Sequence, residues 1–342
     1  MKVVVIGQSR NAQKMARFKF LEQNPGVEVE MVDECVIESN TGLLRNHQLE
    51  RMGPDSFEYT PEYIDKLASA NVIITAMAPV PSAAFDKGNV EAVCILRSGV
   101  ENVDLDKANA AGVKVINAPG RLAVPVSEYT VGLVIAEMKN IARSYARCAQ
   151  GIWDNKLPNR TYSINLKGAS VGIVGLGAVG SRVAKVMDAF EANVLVYDPY
   201  VPQEAITAKG YKALSLEELC AEADVICVHF RLTEESENLI NAKHFALMKK
   251  TAFIVNTARA GLIEEAALLD ALREHKIGGA ALDVFHQEPL PKENPYVGLD
   301  NCTWTSHLAG DCSNIFDITF DIVAECVDKR FKEGVWTNVV NR

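Results

Sequence analysis

Val171-Gly172-Ile173-Val174-Gly175-Leu176-Gly177-Ala178-Val179-Gly180 is a run of aliphatic residues that breaks into G-x-G-x-x-G and continues into the helical pattern Ser181 to Phe190. In such a turn the first glycine, Gly175, permits a sharp reversal, and Gly177 lets the backbone approach a pyrophosphate. Gly180 lets the helix pack on the strand. Ala178 and Val179 open that helix, whose first N–H groups are unpaired and suit an anion. A second strand, Asn193 to Tyr197, ends in Asp198, eighteen residues after Gly180, where these folds place the carboxylate that binds an adenosine ribose. A 2′-phosphate would meet the charge of Asp198, and Pro199-Tyr200 supplies no arginine to offset it, so the cofactor expected is NAD. The competing reading is an ordinary Gly-rich turn with a strand-end Asp; strand, turn, helix, strand and acid in this order weigh against it.

A chain of 342 residues exceeds the usual size of one compact core, which predicts two domains. It begins with the short strand-like Lys2 to Ile6, and no apolar run approaches bilayer length, so a soluble cytoplasmic protein with no membrane partner is expected. The eight cysteines lack C-x-x-C pairs and metal-ligand spacing, and several fall inside apolar patterns. Reduced, mostly buried thiols and no metal are expected. A net charge of −9 argues against nucleic acid as a partner.

The N-terminal third alternates strand and helix: Lys2 to Ile6, a helix Asn11 to Glu22, Val27 to Val32, a helix Pro61 to Ser69, Val72 to Thr75, then Val93 to Leu96. Asp104 to Ala111 reads as a helix capped by Asp104 and ended by Gly112, before the strand Val113 to Asn117. A long helix, Ser127 to Gln150, follows as either a hinge or a dimer helix. Strands resume at Val171 to Val174, Asn193 to Tyr197, Val225 to Val228, Ala252 to Asn256, Gly279 to Leu282 and Cys302 to Trp304. The last helix, Ser313 to Glu333, is expected to return to the first domain. The fold class predicted is α/β, with two Rossmann-like or flavodoxin-like parallel-sheet domains and a cleft between them. Residues 1–118 and 311–342 form the substrate domain, and 119–310 form an inserted nucleotide-binding domain.

Three further segments follow strands of the second domain, and strand carboxyl ends are where parallel sheets bind ligands. Asn256-Thr257-Ala258-Arg259 supplies a cation, Asp283-Val284-Phe285-His286-Gln287-Glu288-Pro289 an acid, and Thr305-Ser306-His307-Leu308-Ala309-Gly310 an imidazole. Interconverting an alcohol and a carbonyl beside a nicotinamide needs a group to move the hydroxyl proton and a positive anchor for an anionic end.

With Arg97-Ser98-Gly99-Val100-Glu101-Asn102-Val103-Asp104 and Asn117-Ala118-Pro119-Gly120, these segments make the chain resemble the D-isomer-specific 2-hydroxy acid dehydrogenase family from about Arg97 onward. The resemblance implies an NAD-dependent dehydrogenase acting on a small 2-hydroxy or 2-oxo acid, and a homodimer. By it, Arg259 binds the substrate carboxylate and polarises the reacting oxygen, a role suited to a planar fork of donors. His307 is the implied general acid/base, held and charged by Glu288. The loop Ser98-Gly99-Val100 is implied to offer backbone N–H groups to the carboxylate. Asp283 is implied to meet the nicotinamide carboxamide, with Thr233, Thr257 and Ala258 lining the cofactor.

The chain departs from the family pattern in places. His229-Phe230-Arg231-Leu232-Thr233 carries Arg231 where proline is usual, and that cation either reaches the cofactor phosphates or is solvated. Ala260 stands where glycine is common, and Leu122 where asparagine is. Arg97 serves a second anionic group on the substrate or is a strand-end charge. His47 is read in a loop, His244 and His275 on helices, His229 at a strand end, and His286 as a loop residue. A second reading remains, that of relatives acting as corepressors, NAD-sensing dimeric binding proteins without turnover. Phosphorylated, sugar-derived and simple acids all remain open as substrates.

Overall fold

The computed structural model describes residues 1–7, 12–34, 48–49 and 52–341; Asn11, Cys35, His47 and Arg342 lie outside them. The chain divides into two compact units, Met1–Arg121 with Ser313–Arg342, and Leu122–Cys312. Among the described residues no helix is long and apolar enough to cross a membrane.

The first unit is built on five parallel strands, β1 (Lys2–Gly7), β2 (Glu28–Asp33), β3 (Val72–Thr75), β4 (Ala92–Ile95) and β5 (Lys114–Ile116), in the order β2-β1-β3-β4-β5. β3 and β4 are buried at every position, which is why they read as unbroken aliphatic runs rather than as an alternation. On one face Val3, Val5, Val72, Ile74 and Cys94 pack with Phe320, Val323, Ala324 and Val327 of the helix Ile315–Glu333. That helix stops at Gly334, left-handed at φ 75°, whose N–H returns to the Arg330 carbonyl. The Asp104 cap forms as expected, accepting the Lys107 N–H at 3.0 Å.

Where one helix was expected from Asn11 to Glu22, the described residues form a single α-turn, Ala12–Met15, and a 3₁₀ helix, Ala16–Gln23. Met15, Phe18 and Leu21, all fully buried, are three residues apart. A helix of three residues per turn stacks them directly in line, where an α-helix would step them about 60° around its face at each interval. The edge of β5 is closed by the end of the chain: Ile116 bridges Val339 in antiparallel fashion, and the Val340 N–H donates to the Val115 carbonyl at 2.9 Å.

The second unit has seven parallel strands, β6 (Ser170–Val174), β7 (Asn193–Tyr197), β8 (Lys212–Ala213), β9 (Val225–Val228), β10 (Phe253–Asn256), β11 (Gly279–Leu282) and β12 (Cys302–Trp304), in the order β12-β11-β10-β9-β6-β7-β8. Strand order reverses between β6 and β9, so the glycine turn at the end of β6 sits at the switch point where such sheets leave a crevice. The sequence reading missed β8, whose two residues pair with Leu195 and Val196 and are too short for a periodic signal.

The long helix expected from Ser127 to Gln150 is two helices, Ala123–Met138 and Ile141–Ala149. The break falls at Asn140, left-handed at φ 56°, a conformation asparagine tolerates better than most side chains. Glu137, fully buried, fixes the corner. Its Oε1 accepts from Arg143 Nη2 at 2.6 Å and its Oε2 from the Thr303 hydroxyl at 2.6 Å, while Arg143 Nε donates to the Asp300 carbonyl at 2.7 Å. His275, expected on a helix, instead follows the helix Glu265–Arg273 at φ 48°.

Glu137→Ala removes one partner of a buried pair and leaves the Arg143 charge unmatched, a defect that typically costs about 3–5 kcal/mol. Denaturant unfolding of the second unit should show that loss, and a smaller one for Glu137→Gln, whose amide oxygen can still accept from Thr303. A loss below about 1 kcal/mol for the alanine variant would show that this corner is held by something else.

Candidate active site

At the end of β6 the chain reverses at Gly175, whose φ is 97°. A side chain there would strike the backbone of His229 and Phe230 at 3.0 Å, and one on Gly180 would fall on the Gly175 carbonyl oxygen. Gly177 faces open space, with nothing within 4 Å of where its Cβ would stand. The helix Ala178–Ala189 starts there. Its first amides, those of Ala178, Val179 and Gly180, lie ahead of the helix's own hydrogen-bond ladder, which opens with Ser181 N–H to the Gly177 carbonyl at 2.9 Å. The turn thus has room for a pyrophosphate and donors aimed at it.

Asp198 closes the same corner. Its Oδ2 accepts the Leu176 N–H at 2.7 Å and its Oδ1 the Tyr200 N–H at 2.9 Å, so its carboxylate is oriented by backbone while keeping lone pairs for a ribose hydroxyl. Next to it stands an aromatic stack that the sequence reading did not anticipate. The Phe230 ring lies 6.2 Å from Tyr197 and 5.9 Å from Tyr200, both at low interplanar angles. Its signal was present as aromatic residues just past two strand ends. Arg231 and Thr233 are exposed, and the Thr233 N–H is held by the Ser236 hydroxyl at 2.7 Å. Burial pushes the His229 imidazole down to about 4, so the ring is neutral at pH 7, and its Nε2 has no hydrogen-bond partner among the described residues.

Arg259 follows β10. The buried Asn256 folds the intervening loop on itself: its side-chain oxygen accepts the Ala258 N–H at 3.0 Å and its Nδ2 donates to the Arg259 carbonyl at 2.9 Å. Thr257 is buried, its hydroxyl 2.7 Å from that of Thr130. The Arg259 side chain is exposed, with Nη1 donating to the Ala258 carbonyl at 2.7 Å and the rest of its fork available to an anion. Asn256 as a brace was not legible as such in the sequence.

The acid and the imidazole meet. Glu288 Oε2 lies 2.6 Å from His307 Nδ1, and Glu288 Oε1 accepts the Phe285 N–H at 2.8 Å, so the carboxylate is fixed at both ends. His307 is about half exposed, and the contact with Glu288 takes only its Nδ1. It also sits at φ 58°, in the left-handed region. Asp283 holds it there. This carboxylate is fully buried at the end of β11, and accepts from the Thr305 hydroxyl at 2.6 Å, the Leu308 N–H at 2.9 Å and the Ala309 N–H at 2.7 Å. It therefore grips the chain on both sides of His307. His286 is exposed, and Leu122 packs against Gly310.

In the first unit, Arg97-Ser98-Gly99-Val100 forms a loop beyond β4. Asn117 Nδ2 donates to the Ser98 carbonyl at 2.6 Å, the Ser98 hydroxyl to the Ala118 carbonyl at 3.1 Å, and the Ala118 N–H to the Arg97 carbonyl at 2.8 Å. Among the described residues the backbone N–H groups of Ser98, Gly99 and Val100 donate to no acceptor.

Residues 131–309 match the model of the family described as D-isomer specific 2-hydroxyacid dehydrogenase, NAD binding domain. The D-3-phosphoglycerate dehydrogenase of Methanocaldococcus jannaschii is 38% identical over 283 residues, which are 82% of this chain and 53% of that protein, so the chain spans about half of that relative's length. The hydroxypyruvate reductase of Thermotoga maritima is 32% identical over 292 residues, 82% of this chain and 92% of that one. Among solved structures, D-lactate dehydrogenase with NAD+ from Lactobacillus jensenii shares the fold, with a TM-score of 0.77 over 100% of both chains at 22% identity. Sequence match, two parallel-sheet units and strand-end geometry agree, and the chain belongs to the D-isomer specific 2-hydroxyacid dehydrogenase family.

Proposed function

We propose that this protein is an NAD-dependent oxidoreductase that interconverts a small D-2-hydroxy acid and its 2-oxo acid. The observation that carries the reading is the 2.6 Å contact between Glu288 and His307, at the same strand ends as the glycine turn and Arg259. Gly175, Gly177 and Gly180, the amides of Ala178 and Val179, and Asp198 suit the dinucleotide, with Thr233, Thr257 and Ala258 lining it. Asp198, already oriented by two amides, favours NAD over its 2′-phosphorylated form. When bound, the nicotinamide gives or takes the hydride.

The chain's own residues do the rest. Arg259 pairs its fork of donors with the substrate carboxylate and draws charge onto the reacting oxygen, which a point-like ammonium does less well. Glu288 accepts a hydrogen bond from the His307 Nδ1–H, which fixes the tautomer and turns Nε2 to the substrate. In reduction Nε2 donates a proton to the 2-oxo oxygen, and in oxidation it takes one from the hydroxyl. Asp283 keeps the imidazole where that transfer can occur. The open amides of Ser98, Gly99 and Val100 suit the substrate carboxylate as well, and Arg97 stands at the same loop.

We also propose a homodimer in the cytoplasm. No residue of the helix Ile141–Ala149 is buried; Tyr145 on it is 74% exposed, and Trp153 just beyond is 93% exposed, on a loop pinned by the pair Arg147–Asp154. Exposed aromatic side chains are enriched at protein–protein interfaces, and a second copy is the occupant we assign. Free and mostly buried thiols, among them Cys94, Cys220, Cys227, Cys302 and Cys326, suit a reducing compartment.

The test is reduced-nicotinamide absorbance across a panel of 2-oxo acids with NADH and with NADPH. Turnover with NADH is expected, and His307→Ala should lower kcat by about 10²- to 10⁴-fold with the NADH Kd nearly unchanged. Preference for NADPH would overturn the role given to Asp198, and tight NADH binding with no turnover on any acid would favour an NAD-sensing binding protein. Asp283→Asn sets an amide N–H against the donors that the carboxylate now accepts, and should cost roughly tenfold or more in kcat through misplacement of His307; unchanged kcat would remove that role. Replacing Tyr145 and Trp153 together with serine should convert a dimer into a monomer in analytical ultracentrifugation, and an unaltered sedimentation coefficient would place the interface elsewhere.

A further inference from the structure

The loop Ser98-Gly99-Val100 is not empty-handed. The side chain of Glu101 folds back over it, and its carboxylate packs against Gly99 in the space that a side chain on that residue would take. From there Oε2 stands 3.7 Å from Arg97 Nη2, an ion pair in which the Arg97 side chain is 15% exposed and that of Glu101 37%. Oε2 is itself buried and accepts no hydrogen bond among the described residues. The loop that carries both groups is rigid on its far side. Asn102 is fully buried and donates to the Ala78 carbonyl at 3.0 Å, the Val80 N–H returns to the Asn102 carbonyl at 2.8 Å, and Val103 N–H closes on Val100 at 3.0 Å. The turn from Val100 to Val103 that carries Glu101 is thus tied by hydrogen bonds.

Two charges of opposite sign thus border three unengaged amides. Amides alone can donate to one carboxylate. Arg97 stands beside them but is already engaged, by Glu101 and by a further interaction. A distal phosphate brought to the loop therefore meets the Glu101 carboxylate at short range. A hydroxyl group meets the opposite treatment, since Glu101 has an acceptor without a donor. Like-charge contact in a partly dehydrated site is a strong selector.

We propose that Glu101 is a specificity-determining residue, which directs the enzyme to hydroxylated monocarboxylic acids and against acids bearing a second anionic group. This rests on the reading of Ser98 to Val100 as the carboxylate-binding loop. It acts through charge on the substrate's second anionic group, and Glu101 belongs to neither the acid/base pair nor the glycine turn.

The experiment compares hydroxypyruvate with 3-phosphohydroxypyruvate on the full-length protein, Glu101→Gln and Glu101→Ala, by two readouts: kcat/KM with NADH, and calorimetric binding of D-glycerate and 3-phosphoglycerate in the presence of NAD. The wild type should favour the unphosphorylated member of each pair. Glu101→Gln, which keeps the shape and loses the charge, should improve the phosphorylated member by roughly tenfold or more relative to the other. NADH affinity should stay as it was. A wild type that favours the phosphorylated acid, or a Glu101→Gln variant that changes both acids alike, overturns the proposal. Binding separates it from the reading of the activity. If no acid is turned over but Glu101→Gln still shifts binding toward 3-phosphoglycerate, the selectivity stands and the assigned reaction falls. If neither acid binds in any variant, both fall.

Discussion

The ends of parallel strands leave backbone groups that neither the sheet nor a helix can pair, and the chemistry of the second unit depends on how those groups are satisfied. The same device serves at three strand ends. Asp198, just past β7, accepts from Leu176 and Tyr200; Asn256, the last residue of β10, accepts from Ala258 and donates to Arg259; Asp283, just past β11, accepts from Thr305, Leu308 and Ala309. An unmet buried amide costs about 1–3 kcal/mol, so each short polar side chain settles a local debt and in doing so dictates the path of the loop that follows. Asp198, Arg259 and His307 are placed by those paths.

The consequence is clearest at His307. A left-handed backbone is unfavourable for a histidine, and such a residue persists only where its neighbours overdetermine it. Asp283 supplies that determination on both flanks, and Glu288, itself tied to the Phe285 amide, supplies it at the ring. Position and orientation are thus set by separate carboxylates. The left-handed backbone of this loop falls on the residue whose ring Glu288 holds.

Much of this was legible in the sequence because its signals are local. The glycine turn, Asp198 after its strand, Arg259, Glu288 and His307 each announce themselves within a few residues of a strand end. That Glu288 and His307 touch depends on β11 and β12 being adjacent, and it was expected from the family resemblance rather than from the strand pattern. What stayed hidden depends on distance or on small numbers of residues. β8 is two residues long. Asn140 breaks a helix only because Glu137, Arg143 and Thr303 together reward the bend, and Thr303 lies 166 residues from Glu137. Met15, Phe18 and Leu21 choose a 3₁₀ helix because of the sheet beneath them. Glu101 reads as one more acidic residue in a loop, and its meaning appears only when its side chain is seen to turn back on Gly99.

The pairing that closes the edge of β5 has a consequence for how the molecule is made. Val115 and the Asn341 side chain that receives its N–H are 226 residues apart, and the helix Ile315–Glu333 that fills one face of the first sheet is likewise supplied from beyond the second unit. During synthesis the five strands of the first unit leave the ribosome long before the pieces that cover them. The second unit, continuous in sequence from Leu122 to Cys312, has everything it needs earlier. In a chain so threaded the elements of the second unit are all made before those of the first are complete, and through that interval the first sheet lacks the helix for one face and the partner for one edge, the exposure that invites association of nascent chains.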